Sequence, residues 1–215
     1  MDRRALQKVA SRIRLIDKAI NDLSGARSFQ EFSDFWYQFL VNWKNVYTIL
    51  EVGSKLSAQS RQWYGGVKKE RKSDELLQYL FEARNAAEHM LDDSLNAQAP
   101  VTVIGAAEPN SSQSIVLNGG GIRNVEITGR FNMGAMVVVG GFPKGLEVRS
   151  LDRKPVKIEY SPEKVLLAPI NARGRVIDPP TMHLGERIVD PSPLHVAIIA
   201  TDYIKKLSDT AKKIV

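Results

Sequence analysis

Residues 96–100, Asn-Ala-Gln-Ala-Pro, divide the chain, because every proline lies at Pro100 or beyond it and eleven of the fifteen glycines follow it as well. Proline breaks helix interiors and glycine weakens them, so the 99 proline-free residues before this point read as a helical bundle. The residues after it read as strands and turns. The expected fold class is therefore α+β: an all-α bundle over residues 1–98, then a small, mostly antiparallel β domain over residues 99–215 that ends in a helix at about 192–213.

Four helical segments are expected before the junction: Asp2 to Leu23, Ser28 to Val52, Lys55 to Tyr64 and Asp74 to Leu95. In the first, Leu6, Val9, Ile13, Ile16, Ile20 and Leu23 recur at three- and four-residue spacing, while Arg3, Arg4, Lys8, Arg12 and Arg14 take the other positions. That is an amphipathic bundle helix with a basic outer face. The second opens on Ser28 with Glu31 three residues on, a capping box, and continues with the aromatic stripe Phe32, Phe35, Trp36, Phe39, Trp43 and Tyr47, which reads as core. Gly65-Gly66 and the charged run Lys68 to Lys72 read as a turn, with Ser73 or Asp74 starting the last helix.

Beyond Pro100, strands are expected at Val101–Ile104, Ser114–Leu117, Asn124–Gly129, Met136–Val139, Leu146–Ser150, Lys157–Tyr160 and Lys164–Ala168. From Pro191 the apolar residues Leu194, Val196, Ile199, Tyr203, Ile204 and Leu207 return to a helical period, which gives a C-terminal helix that packs either on the sheet or back onto the bundle.

Composition narrows the function classes. The chain carries 30 Lys and Arg against 24 Asp and Glu, a net charge of +6 spread over both halves, which favours polyanionic partners. With no cysteine there is no disulfide framework, thiolate nucleophile or cysteine zinc site. The basic, amphipathic beginning of the chain lacks an apolar run of signal type, and nowhere do eighteen consecutive apolar residues occur, so a cytoplasmic protein without a membrane role is expected. The glycine runs NGGGIRN and VVGGFPKG lack the spaced Gly, Lys and Ser/Thr of a phosphate loop. Asp92 and Asp93 diverge by about 100° on a helix and suit a solvated end. His183 and His195 have no second ligand at zinc spacing and read as surface or capping residues.

The third histidine has different neighbours. In DELLQYLFEARNAAEHMLDDSL, residues 74–95, Asn85 and His89 are four apart and share a face, with Arg84 one position away. An imidazole can take a proton from a 2′-hydroxyl or return one to a leaving oxygen, and a guanidinium can hold a phosphate, so the set suits RNA chemistry. Arg84-Asn85-Ala86-Ala87-Glu88-His89 resembles the motif of the HEPN family (higher eukaryotes and prokaryotes nucleotide-binding), whose late helix carries Arg, a polar residue and then His. The resemblance covers about the first hundred residues. It implies a dimeric, metal-independent ribonuclease of defence or toxin type, with His89 as the proton-transfer group, Arg84 on the scissile phosphate and Asn85 orienting one of them. It also implies RNA as substrate, a homodimer, a neutralising protein partner and no cofactor. A different reading of the same residues pairs Arg84 with Glu88 one turn on, a surface contact of a few tenths of a kcal/mol, and leaves His89 as a satisfied rim histidine. The matching functional alternative is a non-catalytic dimerising module whose β domain recognises a protein or nucleic acid. A metal- or nucleotide-dependent enzyme in the β domain finds no ligand set in the sequence.

Overall fold

A computed structural model describes residues 1–89, 94–106, 111–119, 122–131, 136–139, 147–151, 156–172 and 174–214. The chain is mixed helix and small antiparallel sheets, as the α+β expectation had it, and it separates into two compact units. The first contains residues Met1–Asn96 together with Val165–Val215; the second is Ala97–Lys164.

In the first unit, α1 (Arg3–Gly25) starts at Asp2, whose carboxylate accepts from the Arg4 and Ala5 amides, and α2 (Phe29–Gly53) starts at Ser28, whose hydroxyl accepts from the Glu31 amide. Glu31 returns the contact by accepting from the Arg27 amide, one residue before the cap. α1 buries Val9, Ile16, Ala19 and Leu23, while α2 buries Trp36, Phe39, Leu40, Trp43, Val46, Tyr47 and Leu50. The aromatic stripe is core, with Trp36 stacked on Phe39 and Trp43 tilted against Tyr47. A single 3-10 turn, Ser54–Leu56, leads to α3 (Ala58–Ser73), and α4 follows at Glu75–His89.

Two helix boundaries correct the sequence reading. α3 does not stop at Tyr64; it runs through Gly65-Gly66 and the charged residues to Ser73. Each glycine costs a helix about 1 kcal/mol relative to alanine. That cost is offset because Tyr64 and Val67, on either side of the pair, are buried, and the Tyr64 hydroxyl donates to the Tyr47 carbonyl at 3.0 Å. α4 does not reach Leu95, because Leu95–Gln98 forms a strand, β1. The preceding Ser94 serves the core: its hydroxyl accepts from the Trp36 indole at 2.9 Å, and its carbonyl accepts from the Tyr79 hydroxyl at 3.1 Å and from the Ala168 amide at 2.9 Å. Asp92 and Asp93 lie outside the described residues.

The second unit holds β2 (Val101–Ala106), β3 (Ser111–Gly119), β4 (Ile122–Phe131), β5 (Met136–Val139), β6 (Glu147–Ser150) and β7 (Val156–Ser161). Two antiparallel three-stranded sheets result, in the orders β5-β2-β7 and β4-β3-β6. Thr102 stands opposite Val138 and Tyr160, and Ile115 opposite Ile127 and Ser150. Each of these strands overlaps an expected one. Much of the two glycine runs lies outside the described residues.

The reading of 99–215 as one β domain is corrected, because residues 165–215 belong to the helical unit. After β8 (Lys164–Leu167) come two short hairpins, β9 (Ile170–Ala172) with β10 (Arg175–Ile177) and β11 (Met182–His183) with β12 (Glu186–Arg187), and then α5 (Pro193–Lys212). α5 starts at the Ser192 cap and buries Val196, Ala197, Ala200, Ile204 and Leu207 in the bundle core. The Trp43 indole donates to the Ala200 carbonyl at 3.3 Å, tying α2 to α5.

Two carboxylates at the start of α4 capture the second hairpin. Asp74, only 8% exposed, caps α4 by accepting from the Leu77 amide at 2.9 Å, and it also receives the Leu184 amide at 2.6 Å and lies 3.1 Å from His183 Nδ1. Glu75 accepts from the Thr181 amide and hydroxyl and from the Met182 amide, at 2.9–3.1 Å. His183 is thus a partly buried partner of Asp74, packed edge-on against Tyr203, and not a surface residue. Its partner is 109 positions away, so no local pattern signals it.

Burial raises the Asp74 pKa, but the His183, Leu184 and Leu77 hydrogen bonds together outweigh burial and hold it below the usual 3.8. Glu75 is lowered too, first by the Thr181 amide and hydroxyl. A carboxylate depressed on folding contributes stability that is fully present above its unfolded pKa and lost as pH falls through its folded pKa. The urea midpoint should therefore drop below about pH 4.5, and Asp74→Asn should show a shallower drop than the wild type. Asp74→Ala, which takes this acceptor from the Leu77 and Leu184 amides and from His183, should cost about 2–4 kcal/mol at pH 7. Equal acid slopes for wild type and Asp74→Asn in urea titrations followed by helical circular dichroism would remove Asp74 from this role.

Candidate functional site

α4 carries Arg84 and Asn85 on turns that face α2. Leu76, Leu77, Leu80, Ala83 and Ala86 are buried and fix the rotation of the helix, which leaves Glu82, Arg84, Asn85 and Glu88 along the border between core and solvent. His89 is the last residue of α4; its side chain lies outside the described residues. By helical geometry its Cα shares the face of Asn85, one turn on, as the spacing requires.

Arg84 and Asn85 are both engaged. The Arg84 Nη2 pairs with Glu88 Oε1 one turn on, with the two side chains only 18% and 26% exposed. This is the pairing the alternative reading anticipated, but more deeply set than a surface contact. Arg84 Nε is buried and has no hydrogen-bond acceptor among the described residues. Such a buried donor is costly to leave unmet, and the Tyr47 hydroxyl is likewise buried without a partner among the described residues. Asn85 Oδ1 accepts from Lys44 Nζ at 2.5 Å, and its Nδ2 donates to Glu82 Oε2 at 3.0 Å, so the amide is held from both ends.

Lys44, from the middle of α2, is the residue the sequence reading missed. Its ammonium also lies 4.9 Å from the Phe81 ring centroid, and Arg71 of α3 stacks on the other side of the cluster, 3.6 Å from Phe81 and 5.7 Å from Tyr47. Burial lowers the Lys44 pKa first, and the positive charge of Arg84 lowers it further, against the opposing pull of Glu88 and Glu82. Three cations, Lys44, Arg71 and Arg84, therefore share one border with two carboxylates. Tyr37 of α2 completes it, its hydroxyl 3.5 Å from Glu88 Oε1. No local motif announces Lys44, since its contact to Asn85 spans 41 residues.

The same face of α4 opens toward its N-terminus. A cavity of about 850 Å³ lies between Glu75, Gln78 and Glu82 on α4 and Arg175, Asp178 and Thr181 beyond it. A second, of about 490 Å³, is bordered by Arg71, Lys72, Gln78, Phe81 and Glu82. Both share Gln78 and Glu82, so open volume of ligand size begins within one turn of Asn85.

Among the described residues no three of His, Asp and Glu converge as metal ligands would, and no helix is long and apolar enough to cross a membrane. His195 sits in the first turn of α5, its amide donating to the Ser192 cap at 3.4 Å. No protein-family model, no curated protein and no solved structure matches this chain.

Proposed function

We propose that the helical unit is an RNA-binding, HEPN-like bundle that cleaves RNA without a metal, with Arg84 on the scissile phosphate and His89 transferring the proton of the attacking 2′-hydroxyl. The observation that carries this reading is Arg84 itself: a guanidinium held at the edge of the core, its Nε–H without an acceptor among the described residues, in a cluster with Lys44 and Arg71. A phosphodiester is the ligand such a donor set is built to receive, because it brings both negative charge and several acceptor oxygens. In the reaction the 2′-oxygen attacks phosphorus, the bond to the 5′-oxygen breaks, and the products carry a 2′,3′-cyclic phosphate and a 5′-hydroxyl. Asn85 is a positioning residue here, since both ends of its amide are taken within the chain. A homodimer would set two such helices face to face, as the resemblance implies.

A second reading has its own support. Glu88 already neutralises Arg84, and Lys44 and Glu82 already satisfy Asn85, which suits a non-catalytic dimerising module. Variants of Glu88 separate the two. If Arg84 meets phosphate, Glu88 competes for it, and Glu88→Gln should tighten binding of single-stranded RNA by about fivefold to tenfold, about 1–1.4 kcal/mol. Arg84→Gln should weaken it and lower cleavage by about 100-fold or more. Unchanged affinity in both variants, measured by fluorescence anisotropy with helical content intact, would take Arg84 out of phosphate contact and favour the binding module.

A further inference from the structure

α1 presents a second cationic surface that the α4 site does not use. Residues 3–14, RRALQKVASRIR, carry five cations and no carboxylate. The buried residues Ala5, Val9 and Ile16 turn one side of the helix into the bundle and leave Arg3, Arg4, Lys8 and Arg14 exposed. At 100° per residue these four fall within an arc of about 140°, and they span about 16 Å of helix. The acidic residues of α1 are occupied elsewhere. Asp2 caps the helix, Asp17 pairs with Lys205 of α5 at 2.7 Å, and Asp22 pairs with Lys18 at 2.5 Å. None of the four exposed cations has a side-chain ion pair or hydrogen bond among the described residues. The fifth, Arg12, donates to Asn42 of α2 at 3.1 Å and keeps its charge without a counter-ion.

α2 touches α1 through Asn42 on Arg12 and α4 through Tyr37 on Glu88, while the four exposed cations face away from the bundle. A bilayer is a poor match for the stripe, because the apolar face of α1 is spent on the core and has nothing to insert. A flexible phosphate backbone fits a narrow row of cations: 16 Å is the length of about four or five stacked nucleotides at about 3.4 Å each.

We infer that the outer face of α1 is a backbone track for the RNA strand, with Arg3, Arg4, Lys8 and Arg14 neutralising phosphates without reading bases. This rests on the RNA reading given above, and it names the surface that holds the strand's backbone. Since each phosphate contact on a single strand contributes about 0.7 to the slope of log Kd against log salt, losing four should flatten that slope by about 2–3.

The test is fluorescence anisotropy of a labelled 30-nucleotide single-stranded RNA between 50 and 300 mM NaCl. The full chain carrying His89→Ala, so that the probe stays whole, is compared with the same protein bearing Arg3→Gln, Arg4→Gln, Lys8→Gln and Arg14→Gln. The expected result is a slope flatter by about 2–3 and binding at least tenfold weaker at 100 mM salt, with unchanged helical circular dichroism. An unchanged slope overturns the track; if the wild type nonetheless cleaves RNA in a His89-dependent way, the α4 reading survives that failure. A flattened slope without His89-dependent cleavage keeps the track and removes the nuclease. Phosphatidylserine vesicles form the remaining arm: vesicle binding lost in the quadruple variant, with RNA affinity unchanged, assigns the stripe to a lipid surface and overturns the proposal.

Discussion

Trp43→Ala should destabilise the helical unit by about 3–5 kcal/mol, seen as a lowered urea midpoint and, for a chain of this size, a melting temperature lower by roughly 10 °C or more. Trp43 is fully buried at the centre of α2, its ring centroid 4.9 Å from that of Tyr47, and its indole donates to the Ala200 carbonyl of α5. Truncation removes the transfer energy of the largest side chain in the core and leaves a cavity that neighbours on two helices can only partly fill. It also deprives the Ala200 carbonyl of the indole donor. Trp43→Phe separates these terms, since it keeps most of the apolar volume and loses only the N–H, and it should cost about 1–2 kcal/mol. The order matters more than the values. If Trp43→Ala costs less than about 1 kcal/mol, α2 is not the element around which the bundle is organised.

That centre was legible from sequence because it is local. The stripe Trp36, Phe39, Trp43 and Tyr47 repeats at helical spacing, and the Ser28 cap announces α2 within one turn. The second unit's strands were legible for a related reason, since alternating β-branched residues between glycine-rich turns leave few other options. What escaped were features decided by partners far along the chain. Gly65 and Gly66 look like a turn until Tyr64 is seen bonded to Tyr47. Ser94 and Leu95 look like the tail of α4 until Trp36 and Tyr79 are found to require Ser94.

The return of residues 165–215 to the bundle follows the same rule. A boundary at Pro100 was readable from proline placement, but nothing in the composition of the later residues says that α5 shares a core with α2. In the candidate site, Arg84 and Asn85 were identified from one helix. The residues that set their state lie on others: Lys44 on α2 holds Asn85, and the charges of Arg84, Glu88 and Glu82 act on Lys44 in turn. Glu88, within reach of Arg84 by simple i,i+4 spacing, was legible as a partner; the partial burial of the pair was not.

The second large effect belongs to His89. If its imidazole moves the proton of the 2′-hydroxyl, replacing it removes a general acid–base contribution of about 10²–10⁴-fold while the fold, set by the core residues Leu76, Leu77 and Leu80 earlier in α4, stays intact. A loss of activity with unchanged melting in His89→Ala is the signature of chemistry and not of unfolding.

The most direct measurement is cleavage of mixed cellular RNA by the purified full chain in EDTA, comparing wild type with His89→Ala and analysing the product ends. The account predicts cleavage by the wild type in chelator, products ending in 2′,3′-cyclic phosphate and 5′-hydroxyl, and a loss of at least 100-fold in the variant. Cleavage undiminished in His89→Ala, or no cleavage by either protein across several RNAs and salt concentrations, would contradict it.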